Sequence, residues 1–170
     1  MSSLYDVSVG SYLQITRSVA TVMQKGQEYA QANNIDLATI VDTRLREDMA
    51  PFSFQIYSVA HHSLGAINAL GNGEFRPPQN LGLDYAGLQG LVQETISGLE
   101  ALDSAAVNDL ASNSLNFVLG DNKIPFQAEN FILTFSLPNF YFHATTTYDI
   151  LRMLGVPLGK MDFLGQMRMG

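Results

Sequence analysis

The chain contains no cysteine, which excludes disulfides, thiolate catalysis and cysteine-ligated metal from its own residues. Basic residues are scarce as well: nine Lys and Arg among 170 residues, for a formal charge of −7. Affinity for nucleic acid comes mainly from Lys and Arg on phosphates, so no nucleic acid partner is expected. The nearest thing to a basic cluster, Arg44 with Arg46, is offset by Glu47 and Asp48. No uncharged apolar run reaches the roughly 20 residues of a membrane span, so no membrane is expected as a partner. The opening Met1-Ser2-Ser3-Leu4-Tyr5-Asp6 lacks a basic region followed by an apolar run. No signal peptide is expected, and the cytoplasm is the default compartment. Catalytic signatures are missing too. There is no Gly-x-Ser-x-Gly for a serine hydrolase, and no His-x-x-x-His, His-Glu-x-x-His or Glu-x-x-His for a metal. Gly71-Asn72-Gly73 and Gly155-Val156-Pro157-Leu158-Gly159 have no preceding strand and no following Gly-Lys-Ser/Thr, so neither reads as a phosphate loop.

What the chain has is apolar surface. Hydrophobic residues make up 46% and charged residues 15%. This length fits one domain, residues 1–170, burying roughly 70% of its unfolded surface. Low surface charge with apolar residues to spare points to a covered patch, as in a homodimer.

The hydrophobic period is helical for most of the chain. Tyr5, Ser8, Tyr12, Ile15, Val19, Val22, Gly26 and Tyr29 make one stripe of a helix over about 4–33, stopped by Asn33-Asn34. Asp36 caps a short helix over 37–41. A second long helix starts near Asp48, with Pro51 in its first turn and the stripe Phe52, Ile56, Val59, Ser63, Ala66 and Leu70. Residues 74–82, with Pro77-Pro78, form a loop. A third helix begins at Asp84, with Leu88, Val92, Thr95, Leu99 and Leu102 in its stripe. Its Gly87, Gly90 and Gly98 suggest close packing against a neighbour. Leu115, Phe117 and Leu119, then Ile124 and Phe126, alternate around Gly120-Asp121-Asn122-Lys123, predicting a β-hairpin over 115–127. A fourth helix runs over about 128–154, with the stripe Leu133, Leu137, Phe140, Ala144, Thr147, Leu151 and Leu154. Pro138 lies inside it, where a kink is expected that frees the carbonyl of Thr134. A Gly-rich tail, Leu158 to Gly165, is expected to fold over the bundle end through Phe163 and Leu164.

Four helices with narrow stripes need one another. The expected fold is all-α, a four-helix bundle with a small β-hairpin insertion. The polar strip Asn139, His143, Thr146 and Thr147 lies beside the core stripe of the last helix, where a ligand-binding pocket shaped by Pro138 is expected. His143 also reads as a structural histidine bonded to Asn139 or Thr147, one turn away. Of the adjacent pair, His62 can face a neighbouring helix, whereas His61 points toward solvent or a partner.

Asp48-Met49, the run Pro138-Asn139-Phe140-Tyr141-Phe142-His143, Tyr148 with Ile150-Leu151-Arg152, and Gly159-Lys160 with Asp162-Phe163-Leu164-Gly165 resemble the DUF1993 family, over nearly the whole chain. That family is placed in the DinB/YfiT-like superfamily of metalloenzymes. The resemblance implies an up-down-down-up four-helix bundle, often dimeric, and no particular function. It also implies a divalent metal such as Zn²⁺ or Ni²⁺ held by three histidines, one on the second helix and two spaced by four on the last. His62 and His143 match two of these positions, and the third is Thr147, a poor ligand. No tightly held metal is therefore expected, although Asp48, Asp149 or Glu129 would complete a site if the fold brought one in.

Three functional readings follow. The first is a DinB-like protein binding a small molecule near His143, with Asn139, Thr146, Thr147 and His62, and without a cofactor. The second is a divalent-metal-dependent transferase or hydrolase. The third is a structural interaction protein without a pocket.

Overall fold

The computed structural model describes residues 2–169. It is mostly helical, with one small three-stranded sheet. The opening segment is two helices, α1 (Leu4–Val7) and α2 (Val9–Ala32), because the backbone departs from helical values at Ser8 (φ −99°, ψ −77°). A Ser3–Asp6 capping box starts α1. The stripe expected on α2 is buried from Tyr12 through Val22. Asn34, at φ 54°, supplies the left-handed turn beyond the helix.

Asp36 caps α3 (Leu37–Asp42) as expected, accepting from Ala38 N–H at 2.9 Å. The second long helix begins later than Asp48: α4 spans Phe52–Ala60, with Pro51 as its extended N-cap residue. A π-helical segment, His61–Gly65, joins α4 to α5 (Ala66–Asn72). Gly73, at φ 77°, ends α5 and leads into strand β1 (Glu74–Phe75). Asp84 caps α6 (Tyr85–Glu100), accepting from Gly87 N–H at 2.8 Å. Of the three glycines of α6, Gly98 is explained by packing, since a Cβ there would collide with Leu64; a Cβ at Gly90 would meet open space.

After α7 (Ser104–Asp109), β2 (Ser114–Leu119) and β3 (Asn122–Gln127) form the expected antiparallel hairpin, pairing Phe117 with Ile124 and Leu115 with Phe126. The sequence pattern did not reveal β1, whose two residues carry no readable period. It pairs parallel to β2, setting Phe75 beside Phe117.

The last long element is α8 (Ala128–Phe131), a second π-helical segment (Ile132–Ser136), and α9 (Leu137–Met153). Here the expected stripe fails at one end. Phe140, Ala144, Thr147 and Leu151 are buried, but Leu133 is 50% exposed, while Ile132 and Ser136 are fully buried. A π turn holds one more residue than an α turn, so the inward face upstream of it moves back by one position. Pro138 lies inside this continuous helical element, as expected, but directly after the π segment and so not in a regular α ladder. The ladder has already reached i+5 spacing, with Leu137 N–H donating to Ile132 C=O. A proline is accommodated where the ladder is already broken.

The long helices pack in pairs: α2 against α6 and α9, and α4 against α6 and α9. Phe52 stacks on Tyr85 at 5.7 Å, and the Tyr85 hydroxyl donates to Met23 C=O at 2.8 Å. The tail, with α10 (Lys160–Leu164), lies along α2. Lys25 pairs with Asp162 at 2.6 Å, and Gln14 Nε2 donates to Leu164 C=O at 2.9 Å. These contacts draw the tail along the length of α2.

Candidate functional site

The three histidines of the chain meet in one cluster. His62, in the first π segment, is 5% exposed. Its ring centroid lies 6.0 Å from that of His143 on α9, with the planes 17° apart, and 5.6 Å from that of His61. His61 is the more exposed of the adjacent pair and His143 is half-buried, so the helical register places both as expected. Aromatic rings surround the cluster. His61 stacks on Phe75 at 4.2 Å, His62 lies 5.7 Å from Phe135, and His143 meets Phe54 and Phe142 edge-on.

Hydrogen bonds fix two of the three tautomers. Gln55 is 1% exposed and donates its amide Nε2 to Ala50 C=O at 2.9 Å. Its Oε1 therefore faces His143, whose Nδ1–H donates to it at 2.7 Å. A neutral His143 then carries its lone pair on Nε2. His61 Nε2 lies 2.5 Å from Arg76 C=O, so its proton is on Nε2 and its lone pair on Nδ1. His62 Nδ1 is buried with no partner among the described residues. Burial pushes the His143 imidazolium down to about 4. Burial, aided by the two neighbouring imidazoles, takes His62 to about 3. His61 is lowered by burial, against the bond to Arg76. All three are neutral near pH 7.

The π segments are stitched together beside this cluster. Ser136 Oγ donates to His62 C=O at 2.7 Å and accepts from the buried Tyr12 hydroxyl at 2.8 Å. Sequence reasoning did not pick out Ser136, Tyr12 or Gln55 as site residues. Gln55 carried a usable signal, being the only amide in the apolar run Phe52-Ser53-Phe54-Gln55-Ile56-Tyr57. Of the expected polar strip, Asn139 Nδ2 donates to Phe135 C=O at 2.7 Å. Thr146 Oγ1 donates to Phe142 C=O at 2.8 Å, and Thr147 Oγ1 to His143 C=O at 2.9 Å. The two threonine hydroxyls thus donate to the helix backbone one turn away, as does one N–H of Asn139, whose second N–H and oxygen are uncommitted.

Two clefts flank the cluster. One, of about 330 Å³, lies between the first π segment and α6, with His61, Gly65, Leu91 and Thr95 among its walls. The other, of about 430 Å³, is on the outer face of α9, against Leu45, Pro138, Phe142 and Thr146. Neither is lined by His62 or His143.

Residues 4–164 match the model of a family described as Domain of unknown function (DUF1993). The chain belongs to the DUF1993 family. A crystal structure of a DinB family member protein from Shewanella denitrificans superposes with a TM-score of 0.81 at 22% identity, covering 98% of this chain and 94% of that one. At that identity the likeness shows the fold. No curated protein sequence matches the chain. The motifs that suggested the family divide by role. In the tail, Asp162 accepts from Gly159 N–H at 2.8 Å and Phe163 packs on Tyr148, so that motif holds structure. The run from Pro138 to His143 contributes His143 to the histidine cluster.

The donor set does not fit a three-ligand metal. Among the described residues, no three His, Asp or Glu side chains converge to hold an ion. Thr147 is fully buried, and its hydroxyl is committed to the His143 carbonyl. Asp149 lines the outer cleft of α9, which His62 and His143 do not line. A catalytic zinc site needs three protein ligands that converge on one point, and the three imidazoles of the cluster do not.

Proposed function

We propose that this DUF1993 protein is a DinB-like, up-down-down-up four-helix bundle that binds a small molecule at His62 and His143 without a tightly held metal. The observation that carries the reading is the unpartnered, buried Nδ1 of His62 beside His143, whose own tautomer is locked by Gln55. Buried polar atoms are nearly always paired, so an unpaired one next to an oriented lone pair is a common mark of a site awaiting its partner. Asn139, Thr146 and Thr147 extend the polar strip along α9. A ligand that donates a hydrogen bond to one imidazole and accepts from another would satisfy both.

The test follows ring C–H resonances of the histidines while small alcohols, amides and nitrogen heterocycles are titrated in. Saturable shifts at His62 and His143, lost in His143→Gln, support the reading. No response from either histidine across the panel overturns it. Metal analysis of untagged protein, dialysed against a weak chelator, is expected to find far less than one equivalent of Zn²⁺ or Ni²⁺. One retained equivalent would favour a metal-dependent transferase or hydrolase.

The same reading makes the protein a cytoplasmic homodimer. No helix among the described residues is long and apolar enough to cross a membrane. The exposed Leu133, Tyr141, Phe142 and Met153 of the last long element supply apolar surface for a second copy. Sedimentation equilibrium at micromolar concentration is expected to show twice 18.6 kDa, and a purely monomeric species would remove the dimer.

A further inference from the structure

We infer that the cleft beside His61 is a second binding site, for a neutral aromatic molecule carrying one hydrogen-bond donor. The site is separate from the one proposed at His62 and His143 and does not rest on it.

The first π segment builds one wall. A π turn widens the helix and turns side chains out of their regular register, which is why such turns recur at functional sites. Here it places His61, Leu64 and Gly65 on a cleft of about 330 Å³, opposite Leu91 and Thr95 of α6. The loop after β1 closes one side with Pro78 and Leu81. That loop is pinned where Leu83 N–H donates to the Tyr57 hydroxyl at 2.9 Å. Leu81 is 54% exposed and forms an apolar rim.

The polar groups in the cleft specify the ligand. None of the described residues that line it is Lys, Arg, Asp or Glu, so no full charge is compensated there and a charged ligand would be desolvated without a partner. His61 donates through Nε2 to Arg76 C=O, which leaves Nδ1 as an acceptor. Nδ1 is beside Gly65, where an added Cβ would approach it to 3.3 Å. Thr95 donates to Leu91 C=O at 2.7 Å, so its oxygen also accepts. The Tyr57 hydroxyl and the Asn68 and Gln79 amides also line the cleft, so the chemistry is apolar walls with the His61 and Thr95 acceptors and neutral amide and hydroxyl groups, on the scale of a bicyclic aromatic. A ligand hydroxyl or N–H aimed at His61 Nδ1 matches it.

The probe is 2-naphthol, tested on the full chain by titration of its own fluorescence and of the His61 ring resonances. Saturable binding with shifts at His61 is expected. His61→Phe preserves the stack on Phe75 and removes the acceptor, and Gly65→Ala crowds it. Each is expected to weaken 2-naphthol about tenfold, the scale of one neutral hydrogen bond. 2-Methoxynaphthalene, which lacks the donor, is expected to bind wild type about as weakly as 2-naphthol binds His61→Phe, and 2-naphthoate weaker still. Ligand-side changes keep the test valid if either variant misfolds. The proposal is overturned if 2-naphthol does not saturate the protein, if the methyl ether or the carboxylate binds equally well, or if binding moves His143 and leaves His61 still.

Discussion

Two ring clusters sit side by side in this molecule and share walls. Under the sheet, Phe75, Phe117, Phe126, Phe131 and Phe135 pack with centroids 4.8 to 6.3 Å apart. Next to them His61, His62 and His143 pack at similar spacing, and His62 touches both Phe75 and Phe135. The phenylalanines gain by being buried and leave nothing unpaired. The imidazoles lose hydration, and each must find a partner for its nitrogens or go without. The structure supplies Gln55 and Arg76 C=O to two of them and nothing to His62 Nδ1. Similar packing thus yields a stabilising cluster on one side and an uncompensated one on the other. The second is where the proposed binding is placed.

Phe131→Ala probes the dry side most strongly. Its ring is fully buried, so the loss is expected to be about 3–5 kcal/mol by chemical denaturation. A loss under 1 kcal/mol would mean the aromatic cluster contributes little. Ser136→Ala tests the stitch between the two sides. It strands the Tyr12 hydroxyl and the His62 carbonyl together, for an expected loss of about 2–3 kcal/mol. Tyr12→Phe in the same background is expected to recover part of it.

The histidine side is distinguished by pH. The folded imidazoles of His62 and His143 are held to about 3 and about 4, below the unfolded value of about 6.5. The unfolded chain therefore binds protons first as pH falls. Stability is full above about pH 6.5 and is lost progressively down to about pH 4, by up to a few kcal/mol. His62→Phe is expected to flatten this slope, and an unchanged slope would show that His62 is not the source. The smallest effect is expected at Pro138. Removing a mid-helix proline would raise stability by about 3 kcal/mol. Directly after the π turn, where the ladder is already at i+5 spacing, Pro138→Ala instead should lower it by up to about 1 kcal/mol, through the freer unfolded chain.

How much of this was legible depended on the ladder staying regular. The stripes of α2, α4 and α6 read correctly because 3.6-residue spacing held through them. Leu133 read as buried because a π turn leaves no mark in composition, and the inward face upstream of it shifts by one residue. His143 and His62 were legible as inward by spacing alone. Gln55 was not, because a glutamine within an apolar run announces burial but not its partner 88 residues away. That the Thr146 and Thr147 hydroxyls donate to their own helix needed the backbone geometry. So did the cleft at His61, which exists because two distant segments, α6 and the loop after β1, meet a π turn.

The account turns on two neutral imidazoles, an oriented one at His143 and an unpartnered one at His62. Long-range ¹H–¹⁵N spectra of the histidine side chains, recorded from pH 7.5 down to 4.5, measure tautomer and charge together. The prediction is that His143 stays neutral with its proton on Nδ1, and that His62 does not titrate in this range. A midpoint near 6.5 for either ring, or a proton on Nε2 of His143, would contradict it.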